Sequence, residues 1–169
     1  PPEAIQEICR AVEVVAANLN AQDQVVLSGT APAIEAAEGL AKARGAKQAV
    51  RLEVAGAFHS PLMQEAADRF RQAVAKVSFA APKFPVISNV TGQAVADSRA
   101  IPEILVKQIV SPVQWEASMR FLVGQGAAVF VEFPPARVLT GLLRKIDNSV
   151  KGVAIDEPAD FDTLSPLLS

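Results

Sequence analysis

The chain has 169 residues, half of them apolar and a fifth charged, enough for one domain with a buried core. A formal net charge of −2 offers no basic face for nucleic acid, and no Lys/Arg run marks an anionic membrane surface. A single Cys and a single His exclude an internal disulfide framework and argue against a zinc or iron site.

The chain opens on Pro1-Pro2, an unnatural start, so it reads as cut from something longer. Glu3 to Val14 reads as a helix, with Ile5, Ile8, Cys9 and Val12 at helical spacing. Val15 to Leu19 and Gln24 to Ser28 read as two strands of a hairpin, with Asn20 to Asp23 as its turn. A second helix follows over Ala31 to Ala43, closed by Gly45. Ala49 to Val54 alternates as a strand does. The order helix, strand, strand, helix, strand lacks only a leading strand to be a split βαβ unit. The division expected is therefore 1–53 as a ferredoxin-like unit without its first strand, and 54–169 as the rest.

Pro61 to Val77 reads as a helix capped by Ser60, with Pro61 at its first position. Pro85 to Ser88 reads as a short buried strand and Asn89 to Gln93 as a turn. Helices are expected over Ile101 to Ile109 and Val113 to Val123, the second closed by Gly124 and Gly126. Ala127 to Glu132 is an apolar run of strand length, as in a parallel sheet covered on both faces. A helix over Arg137 to Ile146, a strand over Val150 to Ile155 and a helix over Ala159 to Leu168 complete an α/β pattern. No apolar stretch is long enough to span a bilayer and no signal peptide is visible, so a reducing, cytoplasmic setting is expected.

His59, in Gly56-Ala57-Phe58-His59-Ser60-Pro61-Leu62-Met63, is the one candidate base. Placed just before a helix N-terminus, its imidazole is expected to stay neutral and able to accept a proton. The plainer reading is a polar residue at a loop–helix junction. No Gly-x-Ser occurs, so no nucleophile elbow is present, and no glycine-rich phosphate loop matches. Cys9 reads as a structural thiol inside a helix. Ser60 reads as a cap rather than a nucleophile. Asp97, Glu103, Glu116 and Asp156 read as solvated faces or caps. From the residues alone the chain carries a base without a nucleophile.

Four stretches, in order, resemble the C-terminal part of the malonyl-CoA:acyl carrier protein transacylase family. They are QVVLSG at 24–29 with GAK at 45–47, GAFHSPLM at 56–63, PVISNVTG at 85–92, and the pair KQIVSPVQW at 107–115 and RVLTGLLRK at 137–145. The resemblance implies an α/β fold: part of an α/β-hydrolase-like large subdomain plus an incomplete ferredoxin-like small one. It implies malonyl transfer from malonyl-CoA to the phosphopantetheine thiol of acyl carrier protein through an acyl-serine, in fatty-acid synthesis. His59 matches the family's base and Gln108 the residue whose backbone carbonyl orients it. Phe58 and Ser60 match positions beside the acyl pocket, where Phe-His-Ser goes with malonyl rather than methylmalonyl. Asn20 matches a residue near the cleft. No cofactor or metal is implied; the phosphopantetheine belongs to the partner. A monomer is expected, without nucleic-acid or membrane partners, in the cytoplasm, or in the plastid stroma for a plant or algal source.

The departures define what this chain lacks. The family's serine elbow, carboxylate-binding Arg and oxyanion loop would lie upstream of Pro1, so the isolated chain is expected to be inactive. Pro134-Pro135-Ala136 stands where the family has Gly-Pro-Gly, and Ala55 where Ser is common. Lys42, Arg44, Lys47, Arg51 and Arg144 are candidate contacts for an acidic carrier. The alternatives are a non-catalytic carrier-docking module and an acyltransferase domain of a polyketide synthase.

Overall fold

The structure is a computed structural model that describes residues 2–134 and 137–167. Helix α1 spans Pro2–Val12 and stops short of the expected Val14. Glu13 turns into the left-handed region at φ 55, and the Val14 N–H reaches back to the Cys9 carbonyl at 3.2 Å. That bond closes the helix and sends Val14 into the core. Strands β1 (Val15–Ala21) and β2 (Gln24–Ser28) pair antiparallel. Ala21 pairs with Gln24, so only Gln22 and Asp23 make the turn; Asn20 is a strand residue, not a turn residue. Helix α2 (Ala31–Ala43) starts on the Thr30 side chain, which accepts the Ala33 N–H. It ends through Gly45 at φ +82, where a side chain would be strained. Ile8, Val14 and Ala37 form the core between these helices and the hairpin, with Cys9, Val12 and Leu27 packed on it.

The strand expected over Ala49 to Val54 does not form. Its alternation is present, yet among the described residues β2 pairs only with β1 and leaves this stretch without a neighbour. Val50, Leu52 and Val54 stand 74%, 54% and 64% exposed. Alternation specifies a strand only when an edge is available to receive it.

The expected helix from Pro61 to Val77 divides into a 3-10 turn, Pro61–Met63, and helix α3, Gln64–Val74. Only Ala67 and Val74 of its apolar face are buried, meeting Val106 of helix α4 (Ile101–Val110). The strand expected at Pro85 to Ser88 shrinks to one bridge, Ile87 with Ala94, around a turn at Gly92. Phe84 and Val86 point outward, so that stretch is not a buried strand.

Helix α5 begins at Trp115 and ends at Gly124. Val113, expected inside it, instead bridges in parallel to Asn18 of β1. Its backbone is engaged there on both sides, donating to the Ala17 carbonyl at 2.8 Å and accepting the Leu19 N–H at 2.9 Å, so the helix starts beyond it. Strands β3 (Val129–Glu132) and β4 (Lys151–Ala154) pair in parallel, as the apolar run suggested. Val131 is 38% exposed, so the run is not covered on both faces. Helix α6 (Leu139–Ile146) starts later than Arg137, which sits at φ 83. Of the departing turn at 134–136, Pro135 and Ala136 lie outside the described residues. The final stretch forms 3-10 turns over Pro158–Thr163 and Ser165–Leu167 rather than one helix; Leu168 lies outside the described residues.

The architecture is α/β. A core of Ala21, Met119, Leu143 and Ile146 joins the hairpin to α5 and α6. Lys145 ties the same elements at the surface, through Gln24 at 2.9 Å and Asp23 at 3.6 Å. No helix among the described residues is long and apolar enough to cross a membrane.

Candidate active site

Everything around His59 depends on how α3 and α4 pack. The loop holding His59 enters α3, and α4 ends at Val110. The shared core of Ala67, Val74 and Val106 sets the two helices side by side, with an Arg71–Glu103 ion pair across their rim. This brings the last turn of α4 against the loop. The His59 N–H donates to the Ile109 carbonyl at 3.1 Å, and the ring Nδ1 donates to the Gln108 carbonyl at 2.8 Å.

The tautomer follows from elementary chemistry. A carbonyl only accepts, so the proton of the neutral ring is on Nδ1 and the Nε2 lone pair is free to accept a proton. Among the described residues no group bonds Nε2. Both accepting carbonyls belong to the last turn of α4, where helix carbonyls lack helical partners and carry the negative end of the dipole. The expectation from sequence concerned only the positive end of the helix after His59. The structure adds the opposite pole of another helix, directed at the ring itself.

Gln108 acts here through its main chain. Ser60 is 1% exposed and its hydroxyl is spent on the backbone: it donates to the Ala57 carbonyl at 2.6 Å and accepts the Leu62 N–H at 3.3 Å. It is a cap, as its position suggested. Phe58 is half exposed, its ring folded toward Gly56. Asn20 is half-buried in β1, and no hydrogen bond links it to His59 or Gln108 among the described residues. A cavity of about 280 Å³ opens between the start of α2 and the His59 loop, lined by Ser28, Thr30, Ala33, Ser60 and Leu62.

A single histidine tied to a main-chain carbonyl can serve several kinds of hydrolase and transferase, and relatives narrow the field. Residues 3–157 match the family model described as the acyl transferase domain. This chain belongs to the acyl transferase domain family. It is 41% identical over 146 residues to the malonyl CoA-acyl carrier protein transacylase of Bacillus subtilis, spanning 86% of this chain and 46% of that protein. The crystal structure of malonyl-CoA:acyl carrier protein transacylase from Xanthomonas oryzae superposes with a TM-score of 0.92 at 35% identity, over 98% of this chain and 54% of that one. A malonyl-transacylase solved in complex with a type II PKS acyl-carrier protein matches with a TM-score of 0.88 at 35% identity, over 95% of this chain and 52% of that one. The chain thus spans about half the length of the relatives it matches.

In this acyl transferase domain one structural residue escaped the sequence reading. Glu132, at the end of β3, is 7% exposed and accepts the N–H groups of Val138 (3.0 Å), Leu139 (2.8 Å) and Thr140 (2.7 Å). Burial pushes its carboxyl upward, but the donors from Leu139 and Thr140 outweigh that and hold it below the usual range. These amides at the start of α6 are therefore already engaged and open to no ligand. The signal available was a charged residue ending an apolar run just ahead of a helix start. Cys9 is half-buried and its thiol is pushed up by burial, which suits a structural role. Asp97 caps the turn before α4, Glu116 pairs with Arg120 and Asp156 with Arg137, as the surface reading expected. Of the basic candidates, Lys42 and Arg44 are paired with Glu38 and Glu7, while Lys47, Arg51 and Arg144 are exposed. Among the described residues no cluster of His, Cys, Asp or Glu is suited to a metal ion.

Proposed function

We propose that this chain is the base-bearing part of a malonyl-CoA:acyl carrier protein transacylase, residues 1–53 forming the small subdomain and 54–169 part of the large one. The observation that carries the reading is the bond from His59 Nδ1 to the Gln108 carbonyl, which leaves Nε2 as the proton acceptor. The nucleophilic serine would come from the part of the protein that this chain does not include. His59 takes the serine proton as the oxygen attacks the malonyl thioester carbonyl. The tetrahedral adduct collapses, the C–S bond breaks, and the imidazolium returns the proton to the CoA thiolate. The second half runs the same way, with the phosphopantetheine thiol as nucleophile and serine as the leaving group. The carbonyl of Gln108 keeps the ring oriented where a triad would use a carboxylate. The negative pole of α4 favours the imidazolium as it forms.

Phe58 is assigned to selection of the acyl group: a bulky ring there leaves little room for an α-methyl, a discrimination worth about 1–3 kcal/mol. Asn20 is carried as cleft lining. The transfer chemistry serves fatty-acid and polyketide carriers alike, and a cytoplasmic monomer is the expected setting.

The test is malonyl transfer from CoA to acyl carrier protein by the full-length parent beside its His59→Ala variant. A loss of about 10²–10⁴-fold is expected, the usual contribution of a positioned general base. A near-normal rate in the variant would return His59 to a junction residue. A parent that transfers nothing, yet binds the carrier, would favour the docking module.

A further inference from the structure

Ser60 is tied into the loop on both sides of His59, and the tie involves no substrate. Its hydroxyl donates backward to the carbonyl of Ala57 and accepts forward from the N–H of Leu62. Its own carbonyl accepts the Met63 N–H at 3.1 Å. The loop is drawn tight, and His59 at its apex takes φ 58, a left-handed conformation uncommon for a residue with a Cβ. In that conformation one residue presents both its backbone N–H and its ring Nδ1 to successive carbonyls, Ile109 and Gln108, at the end of α4. An extended His59 would not be expected to keep both. Ser60 is nearly inaccessible, which fits a hydroxyl serving the loop rather than a ligand.

We propose that Ser60 is a positioning residue: its hydroxyl holds His59 in the left-handed conformation that fixes the Nδ1–H tautomer and aims Nε2 outward. The proposal rests on His59 acting as the base, but its test needs no activity. In the full-length parent the His59 ring nitrogens are identified in long-range ¹⁵N–¹H NMR as the signals that disappear in His59→Ala. Wild type should show the Nδ1–H tautomer with a slowly exchanging ring proton. In Ser60→Ala the Nε2–H tautomer should appear, and the ring proton should exchange at least about tenfold faster, the scale of one lost hydrogen bond. Ser60→Thr, which keeps the hydroxyl, should restore the wild-type pattern. Ser118 supplies the control: it is equally buried, and its hydroxyl donates to the Gln114 carbonyl at 2.7 Å. Ser118→Ala should leave the His59 signals unmoved.

The proposal is overturned if Ser60→Ala keeps the wild-type tautomer and exchange, or if Ser118→Ala disturbs the ring as much. It is also overturned if Ser60→Ala loses its helical circular dichroism while Ser118→Ala keeps it, because Ser60 would then serve the fold rather than the histidine. None of these outcomes depends on whether His59→Ala abolishes transfer in the parent, so the two readings fail separately.

Discussion

At the scale of single residues, the site separates side-chain chemistry from main-chain chemistry. His59 contributes its ring, whereas Gln108 contributes a carbonyl that every amino acid possesses. The two positions should therefore respond differently to substitution. In the full-length parent, Gln108→Ala should stay within about tenfold of wild-type kcat/KM, since the Nδ1 acceptor survives, whereas His59→Ala should lose orders of magnitude. A collapse of Gln108→Ala equal to that of His59→Ala would mean that the side chain itself takes part. The family resemblance pointed to the backbone carbonyl of Gln108, and the 2.8 Å contact from the His59 ring is to that main-chain oxygen.

At the scale of elements, helix starts and ends govern both the site and the framework beneath it. The C-terminus of α4 serves His59, and the N-terminus of α6 is satisfied by Glu132. Glu132→Gln keeps the shape of the side chain but removes the charge from its bonds to Val138, Leu139 and Thr140. A loss of about 2–3 kcal/mol at pH 7 is expected, from the strength of hydrogen bonds to a charged group. Because the folded carboxyl is held below its unfolded value, its contribution is present above the unfolded pKa of about 4.3 and disappears as pH falls through the folded one. Urea denaturation should show wild type and Glu132→Gln well separated near neutrality and converging in acid. A constant gap across that range would show that the carboxylate is not the source of the stabilisation. The helices themselves were readable from spacing and caps, as Thr30 and Gly45 around α2 illustrate. Glu13 and Arg137 were not readable, because nothing in a glutamate or an arginine announces a left-handed turn.

At the scale of the whole molecule, large apolar side chains face solvent. Val50, Leu52 and Val54 form an extended row, and Phe84 and Phe133 stand 79% and 63% exposed. The chain spans about half the length of its relatives, and β2 and β3 each pair with a single neighbour among the described residues. Such surfaces favour association. The isolated chain should bind an apolar dye such as ANS and scatter light increasingly with concentration, while the full-length parent should do neither. A chain that stays monomeric and dye-silent at high concentration would show that these residues are shielded in solution.

What the sequence by itself determined is local: the main helices, the β1–β2 hairpin, the parallel character of the apolar run, and the histidine, whose type and neighbours suit proton transfer. These follow from spacing, caps and turn residues, which act within a few positions. The failures at Ala49 to Val54 and Pro85 to Ser88 share one cause. A strand depends on its neighbour's hydrogen bonds, so alternation alone does not make one. The tertiary structure decided the rest. It set α3 against α4 through Ala67, Val74 and Val106, and so carried two carbonyls from the end of α4 to a histidine almost fifty residues earlier in the chain. The orientation of the ring, the free Nε2 and the inward hydroxyl of Ser60 all arise from that packing. Contacts between distant residues depend on how whole elements share a core, which local sequence does not encode.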